Sequence, residues 1–365
     1  MDSSKKLKIG VVFTSLQMVG IAKSLSVITN YLSERNDTEI TAFTIYKFPH
    51  FFKLNNNITL IEPEFEHAKT NKLYYYIKIF WFLRRNFKRK DFDVILTFHE
   101  YCNFQVLLAS LGLNMPVIIS DRASPIRKIS FPSNYFRKYL YPFASGMIAQ
   151  TKVAKEIFGK EFKKLKNIEV IGNAIESPIH TITSERENII LWVGRYEGLK
   201  GLNLLIEAFV ACENMDDWKL VLVGDGDGYN QISTLIGQLD YKHRIIQVGK
   251  QKDVNQWYSK SEIFAFPSFS EGFPNALCEA MSMGLAAVSF DCVAGPSEII
   301  EDQVNGLLMP VGDVKRLTES IMILAHNKSK REQIQVNAKK IIHQFNREKI
   351  GNQYFDFLEK SRRIK

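Results

Sequence analysis

Two glutamates flank the seven residues GFPNALC, and their carboxylates could bind a ligand. They are Glu271 and Glu279. A strand-like apolar run (262–268) comes before this loop, and a helical pattern at about 275–284 follows it. When a strand, a tight loop and a helix follow each other in this order, backbone N–H groups and the positive end of the helix dipole point into the loop. Such loops bind anions. We therefore expect an anionic group of a ligand to lie between the two glutamates.

The two carboxylates have different predicted tasks. Glu271 lies in the loop, where it meets the part of the ligand that reacts. Glu279 lies a turn or more into the helix, where it accepts hydrogen bonds from two neighbouring hydroxyls such as those of a ribose; a solvated surface glutamate is the alternative for Glu279 alone. Gly272 lets the backbone approach the ligand, Pro274 fixes the chain before the helix, and Asn275 is the predicted N-cap.

A second group of candidate residues follows the strand-like run 188–194. Arg195 and Lys200 lie five residues apart, and Gly201 opens a helical pattern. Two fixed cations at the start of a helix stabilise a diphosphate as it leaves and gains negative charge. The GxxxxGK[ST] spacing of a P-loop is absent, so this is a different kind of phosphate site. The alternative is a pair of unrelated surface cations.

These motifs resemble the retaining glycosyltransferases of family 4, which have the GT-B fold. The resemblance lies in the glutamate spacing around GFPN, in DCVAGPSEII (291–300) and in VNGLLMPVGD (304–313), and it extends weakly over the N-terminal half. It implies that Glu271, Arg195 and Lys200 are catalytic. It also implies donor binding at six positions: Gly20, Gly272, Phe273, Pro274, Asn275 and Glu279. Family members usually have two glycines after the first strand, where this chain has VGIAK, so a simple strand–helix turn at Gly20 is the alternative.

The resemblance also implies two acceptor-side positions in the first half. His99 follows the strand-like run 92–98, and Arg122 lies in SDRASPIRK (120–128) after the next strand. A guanidinium group suits a phosphate or a carboxylate. For His99, a purely structural histidine is the alternative.

The composition and the order of elements predict an α/β protein with two domains. With 365 residues and 45% hydrophobic residues, the chain is long enough for two soluble cores. Apolar strands alternate with helical patterns in both halves, which predicts parallel sheets covered on both faces. These patterns predict two doubly wound, Rossmann-like domains facing a cleft, and the resemblance implies that this fold is GT-B. Their predicted bounds are 1–175 and 176–345, joined by the polar segment 173–187, with a C-terminal helix at 346–365 that packs back on the first domain as in the resembled fold.

One glycine motif and two aspartate motifs resemble other sites but are assigned neither a dinucleotide nor a metal. Gly224, Gly226 and Gly228 follow a strand but lack the last spacing of the dinucleotide fingerprint. The Asp-x-Asp sequence at 225–227 fits a strand-to-helix turn, and the one at 91–93 precedes its strand instead of following it.

Charge and cysteine usage indicate the compartment and the partners. Residues 1–175 contain 26 Lys and Arg against 14 Asp and Glu, so this half faces something anionic. No apolar stretch is long enough to span a bilayer, and the four cysteines form no CxxC pair, which predicts a cytoplasmic protein with reduced thiols. The aromatic and basic segment 71–90 has two open interpretations: a core helix with a basic end, or a peripheral contact with an anionic membrane at its inner face. No nucleic-acid motif accompanies the charge, so we expect no nucleic-acid partner.

The resemblance implies retaining, metal-independent transfer of a hexose or N-acetylhexosamine from a UDP-sugar. The expected acceptor is a glycan, linked to a polyprenyl diphosphate, in lipopolysaccharide or capsule biosynthesis, and no cofactor is expected besides the UDP-sugar substrate. Two alternatives remain open at this point. One is a UDP-sugar epimerase of the same fold. The other is a non-catalytic sugar-nucleotide-binding protein, which the altered loop at Gly20 favours.

Overall fold

The computed structural model describes residues 6–17, 20–65, 71–131, 133–175 and 185–362. The predicted connection at 173–187 therefore lies outside the described residues from 176 to 184. The chain divides into two compact units, one formed by Met1–Ala174 with Arg347–Lys365 and the other by Ile175–Asn346.

The first unit contains a parallel sheet with the strand order β3-β2-β1-β4-β5-β6-β7. Its strands are β1 (Leu7–Phe13), β2 (Thr38–Thr44), β3 (Thr59–Ile61), β4 (Val94–Phe98), β5 (Val117–Ser120), β6 (Gly146–Ala149) and β7 (Ile168–Val170). Its helices are α1 (Gly20–Ser33), α2 (Lys72–Arg89), α3 (Glu100–Ser110), α4 (Ser133–Leu140), α5 (Lys152–Glu161) and α13 (Arg347–Arg362).

The second unit contains a parallel sheet with the order β10-β9-β8-β11-β12-β13. Its strands are β8 (Glu187–Val193), β9 (Lys219–Val223), β10 (Ile245–Gly249), β11 (Ser261–Phe266), β12 (Ala286–Phe290) and β13 (Leu307–Met309). Its helices are α6 (Leu202–Val210), α7 (Tyr229–Gly237), α8 (Asn255–Lys260), α9 (Asn275–Ser282), α10 (Val314–His326), α11 (Lys328–Ala338) and α12 (Ile342–Phe345).

The second sheet is buried on both faces, as the continuous apolar strands predict. Successive side chains of a strand point to opposite faces. In β8, Ile190 and Trp192 therefore join one core, while Ile189 and Leu191 join the other. The prediction of doubly wound, Rossmann-like units is confirmed.

Helix α2 buries one face in the core of the first unit, because its apolar residues recur every four positions. Tyr75, Ile79, Leu83 and Phe87 are buried in a cluster with Phe43 of β2. The interpretation of 71–90 as a core helix is therefore correct for this face of α2. Among the described residues, no helix combines the length and the apolar content that crossing a bilayer requires.

Helix α13 groups with the first unit although it follows the second along the chain. The Tyr31 hydroxyl of α1 donates a hydrogen bond to Asn352 Oδ1 at 2.9 Å. A Cβ on Gly351 would lie 2.1 Å from a ring carbon of Tyr31, so the two helices touch where only glycine fits. The Arg35 guanidinium lies 3.6 Å from the ring centre of Phe355.

Candidate functional site

The segments that follow β8 and β11 meet at one edge of the second sheet. These strands are parallel neighbours, so their carboxyl ends lie side by side. Lys200 Nζ, in the segment after β8, donates a hydrogen bond to Glu271 Oε1, in the segment after β11, at 2.7 Å. The Phe269 N–H donates to the Leu199 carbonyl oxygen at 2.9 Å, which ties the two backbones together. Two residues chosen from separate sequence motifs are thus in contact.

Burial makes the Lys200–Glu271 contact more than a surface ion pair. The Glu271 side chain is 10% exposed and the Lys200 side chain 23% exposed. A carboxylate with so little access to water depends on its cation for stabilisation. Cys292 lies near both charges: burial raises the pKa of its thiol to about 12, the Glu271 carboxylate adds to this rise, and Lys200 opposes it. At neutral pH, Cys292 is therefore a protonated thiol without nucleophilic character.

Gly201 allows the two segments to approach this closely. Its φ is +65°, in the left-handed region, and it directly precedes α6. A Cβ at this position would lie 2.1 Å from the Pro267 carbonyl oxygen. Only glycine fits both the dihedral angle and the contact.

Arg195 lies apart from the pair. Its side chain is 70% exposed, and its NH2 atom lies 2.9 Å from Glu197 Oε1. An exposed pair of this kind contributes little to stability. The predicted role of Arg195 at a diphosphate stays a prediction.

The turn after β9 packs against the backbone on both sides of Arg195. The Tyr196 N–H donates to the Asp225 carbonyl oxygen at 2.8 Å. Gly224 packs so closely that a Cβ on it would lie 1.8 Å from the Gly194 carbonyl oxygen. The glycine-rich sequence that resembles a dinucleotide fingerprint therefore has a structural explanation, because two backbones touch there.

The loop before α9 differs in detail from its prediction. The helix begins at Asn275 with Pro274 in the cap position, so the prediction of Asn275 as the N-cap is wrong by one residue. The Asn275 N–H donates to the Phe273 carbonyl oxygen at 2.9 Å, and Pro274 has no N–H to offer. The N–H groups of Gly272 and Phe273 are left as the predicted anion donors of this loop.

Two of the predicted donor-binding side chains pack inside the second unit. The Phe273 ring is buried, with its centre 5.4 Å from that of Phe345, so only the backbone of Phe273 is placed to meet a ligand. Glu279 is half-buried and accepts a hydrogen bond at Oε2 from the Tyr258 hydroxyl at 3.2 Å. Burial raises the pKa of Tyr258 well above its usual value, and the nearby Glu279 carboxylate adds to the rise. The contact of Glu279 with a ribose stays a prediction.

His99 stands at a strained position at the carboxyl end of β4. It has φ 85° and ψ 135°, which a non-glycine residue rarely adopts. Its Nδ1 accepts a hydrogen bond from the Tyr101 N–H at 3.4 Å, and its Nε2 lies 3.6 Å from Glu100 Oε2. Burial lowers the pKa of His99, which the Glu100 carboxylate partly offsets. Sequence reasoning missed Glu100, a buried carboxylate at the first position of α3 that directly follows His99.

Arg122 has a structural role that the sequence did not predict. Its guanidinium is buried, donates to Asn173 Oδ1 at 2.7 Å and to the Tyr354 hydroxyl, and lies 3.6 Å from the ring centre of Phe98. Burial lowers the pKa of Arg122, and the tyrosine contact partly offsets the effect. This geometry disfavours the acceptor contact predicted for Arg122, because Asn173, Tyr354 and Phe98 of the first unit already contact the guanidinium.

Gly20 is the first residue of α1 and is exposed. Nothing lies within 4 Å of the place its Cβ would occupy. Residues 18 and 19 of this loop lie outside the described residues. The phosphate contact predicted for Gly20 stays a prediction.

Residues 176–341 match the family described as Glycosyl transferases group 1. The second unit belongs to this family. The Lys200–Glu271 pair and α9 lie within the glycosyl transferase unit. Among the described residues, no three side chains of His, Cys, Asp or Glu are arranged to hold a metal ion.

Relatives and solved structures agree with this assignment. The chain is 25% identical over 342 residues to an alpha-1,4-N-acetyl-D-galactosaminyltransferase of Campylobacter jejuni, covering 91% of this chain and 93% of the relative. It is 26% identical over 294 residues to the amylovoran biosynthesis glycosyltransferase AmsD of Erwinia amylovora, covering 78% and 80%. The lipopolysaccharide galactosyltransferase WaaB has a TM-score of 0.78 at 17% identity, covering 97% of this chain and 99% of that one. HepE of Anabaena, solved with UDP and glucose, has a TM-score of 0.80 at 19% identity with the same coverage. The fold is GT-B, and the activity of the family is glycosyl transfer.

Proposed function

We propose that this glycosyltransferase moves a hexose or N-acetylhexosamine from a UDP-sugar to a lipid-linked glycan, with retention at the anomeric carbon and without a metal ion. The product would enter a bacterial surface polysaccharide such as lipopolysaccharide or capsule. The observation that carries the proposal is the contact of Lys200 with Glu271 at the carboxyl edge of the second sheet. Ligands of open parallel sheets bind at this edge.

The Lys200 cation suits the diphosphate of a sugar nucleotide, and the Glu271 carboxylate suits the hydroxyls of its sugar. During transfer, the bond between the anomeric carbon and the diphosphate oxygen breaks, and the diphosphate gains negative charge. Lys200 and Arg195 stabilise that charge, together with the N–H groups of Gly272 and Phe273 and the dipole of α9. The acceptor oxygen bonds to the anomeric carbon on the same face, and its proton passes to the leaving phosphate oxygen.

Glu271 holds the hydroxyls of the donor sugar in this mechanism. Its Oε1 accepts from Lys200, and a carboxylate has lone pairs for further donors. Orientation of the anomeric carbon by such contacts contributes several kcal/mol, on the order of 7 in favourable cases, to a two-substrate reaction. Glu279 on α9 binds the ribose in the same proposal.

The names of similar proteins support the choice of donor and acceptor. HepE was solved with UDP and glucose. The Campylobacter jejuni relative is named for an acceptor glycan on diphospho-undecaprenol. By analogy, we propose a UDP-sugar donor and a polyprenyl-diphosphate-linked acceptor, and we place the protein in the cytoplasm, in peripheral contact with the inner face of the membrane.

The test is release of UDP from a panel of UDP-sugars, with and without EDTA, in the presence of a bacterial lipid extract. We expect release from one sugar, dependent on the extract and insensitive to EDTA. Lys200→Met and Glu271→Gln should each lower the rate at least 100-fold, about the effect of removing one charge-stabilising donor in other enzymes. Lys315→Met and Glu319→Gln, at exposed positions of α10, are the matched controls and should keep the rate.

Three results would contradict the proposal, each in a different part. Inhibition by EDTA would overturn metal independence. Conversion of the donor to another UDP-sugar without release of UDP would indicate an epimerase. Binding of UDP without turnover of any sugar would indicate a non-catalytic binding protein.

A further inference from the structure

α2 and α4, which both pack on α3 in the first unit, present apolar side chains to solvent. The outward residues are Tyr74, Ile77 and Trp81 on α2, Phe131 just before α4, and Tyr135 and Tyr139 on α4. We call these six residues and the cations beside them the aromatic–basic face. Trp81 is 62% exposed and Phe131 is 82% exposed, whereas the core side of α2 is fully buried. Large apolar side chains exposed in a group mark an interaction surface.

A chain of ring contacts runs from α2 through α3 to α4. The Tyr76 ring of α2 lies 6.2 Å from Phe104 of α3, and Phe104 stacks on Phe136 of α4 at 5.2 Å. Phe136 in turn lies 5.9 Å from the outward Tyr135. α3 thus lies between α2 and α4 and contacts both helices through packed aromatic rings.

The charges on this face have one sign. Neither 71–90 nor 122–145 contains a single Asp or Glu. α3 contributes one acid, Glu100, which is buried. The exposed cations beside the aromatic residues are Arg85, Lys88, Arg89, Lys128 and Lys138. Arg84 donates to the carbonyl oxygens of Ala109 and Leu111, and Arg127 lies 3.5 Å from the buried Glu100 carboxylate, so neither is counted.

We propose that the aromatic–basic face binds the surface of an anionic phospholipid bilayer. Aromatic side chains with polar tips settle at the level of the headgroups, while the lysines and arginines meet the lipid phosphates. Exposed aliphatic side chains such as Ile77 contribute no binding free energy with a nucleic acid or a soluble polyanion. They do contribute it at the boundary between the lipid headgroups and the acyl chains. The inference deepens the proposed function and rests on it for the lipid-linked acceptor, whereas the binding itself requires no turnover.

The experiment is co-sedimentation of the full chain with vesicles, followed also by tryptophan fluorescence. Vesicles of phosphatidylcholine with about one third phosphatidylglycerol should retain the protein at low salt, and pure phosphatidylcholine should not. Trp192 and Trp218 are buried and Trp257 is half-buried, so a blue shift on binding should come from Trp81. Trp81→Phe should abolish the shift while retaining most of the binding.

A matched pair of double variants tests the location of the contact. Lys88→Gln with Arg89→Gln removes two adjacent cations of α2, and the affinity should fall about 20-fold, since each cation near an anionic surface contributes roughly fivefold. Lys315→Gln with Arg316→Gln removes the same two residue types from exposed positions on α10, and the affinity should change less than about threefold.

Three outcomes would overturn the proposal. Equal weakening by both double variants would indicate attraction by net charge alone. Vesicle binding without a blue shift would exclude insertion of the aromatic residues. Retention by a duplex oligonucleotide but not by anionic vesicles would assign the face to nucleic acid. The vesicle experiment contains no sugar donor, so its failure would not change the UDP-release result. Failure of UDP release would likewise not change the vesicle-binding result.

Discussion

The Lys200–Glu271 pair allows a quantitative test of the candidate site. Lys200→Met removes the cation and leaves a carboxylate that is 10% exposed. Breaking a fully buried pair costs about 3–5 kcal/mol, and an exposed pair contributes about 0–1 kcal/mol. For this partly buried pair we expect Lys200→Met to lower the free energy of unfolding by about 2 kcal/mol. Glu271→Gln should cost about 1 kcal/mol, because the lysine left behind is better hydrated.

The double variant measures the interaction itself. If the two side chains stabilise each other, Lys200→Met with Glu271→Gln should cost less than the sum of the single variants, by about 1.5 kcal/mol. Urea unfolding in a Trp81→Phe background is the assay, because the remaining tryptophans, Trp192, Trp218 and Trp257, all lie in the second unit. Their fluorescence then reports the unit that holds the pair.

The outcome that would refute this reasoning is additivity. A coupling free energy below about 0.5 kcal/mol would mean that the pair does not form in solution. Glu271 would then not depend on Lys200 for stabilisation, even if both single variants lost activity. Lys200→Arg is the control for charge without the lysine geometry, and it should recover part of the stability.

Four further predictions concern packing and protonation. Gly224→Ala puts a methyl group 1.8 Å from the Gly194 carbonyl oxygen, so it should destabilise the second unit by about 3 kcal/mol or more in urea, whereas Gly237→Ala, with open space around it, should not. Burial raises the pKa of three of the four thiols to about 12 from an ordinary value of 9.0, so a thiol reagent at pH 8 should modify the protein only after unfolding. The unfolded chain loses these protons first as pH rises, so stability should fall above about pH 9, by about 1.4 kcal/mol per thiol and pH unit, in urea titrations at pH 8 to 10. Tyr354→Phe removes a partner of the buried Arg122 guanidinium and should lower the free energy of unfolding of the first unit by about 1–3 kcal/mol. The measurement is urea unfolding followed by the fluorescence of Trp81, which lies in the first unit.

The sequence was sufficient to predict the long strands of both sheets. β1 and β8 are runs of apolar residues bounded by polar or turn residues, and such runs indicate strands buried on both faces. β3, β7 and β13 were not predicted as strands. Each has three residues and lies at the edge of its sheet, where the pattern is too short to show a period.

The partners of the candidate site residues could not be predicted from sequence in the same way. Lys200 and Glu271 were chosen separately, and their contact depends on β8 and β11 being neighbours, which residue types alone do not specify. Arg122 was assigned to the acceptor side because the resemblance implies it and because a guanidinium suits a phosphate or a carboxylate. Its partner Tyr354 comes from α13, far along the chain. Local patterns therefore identified candidate residues, whereas contacts between distant segments decide what each residue is free to do.

The placement of α13 in the first unit imposes an order on folding during synthesis. Met1–Ala174 leaves the ribosome first, but it lacks α13, which buries Ile350, Tyr354 and Leu358. The whole of Ile175–Asn346 is made before that helix, so the later unit has all of its strands while the earlier one still waits for its last helix. Until then, α1 and Arg35 present to chaperones and proteases the surface that Gly351 and Phe355 will cover. A chain that stalls after Asn346 would leave the nascent protein with a finished second half and an unfinished first half.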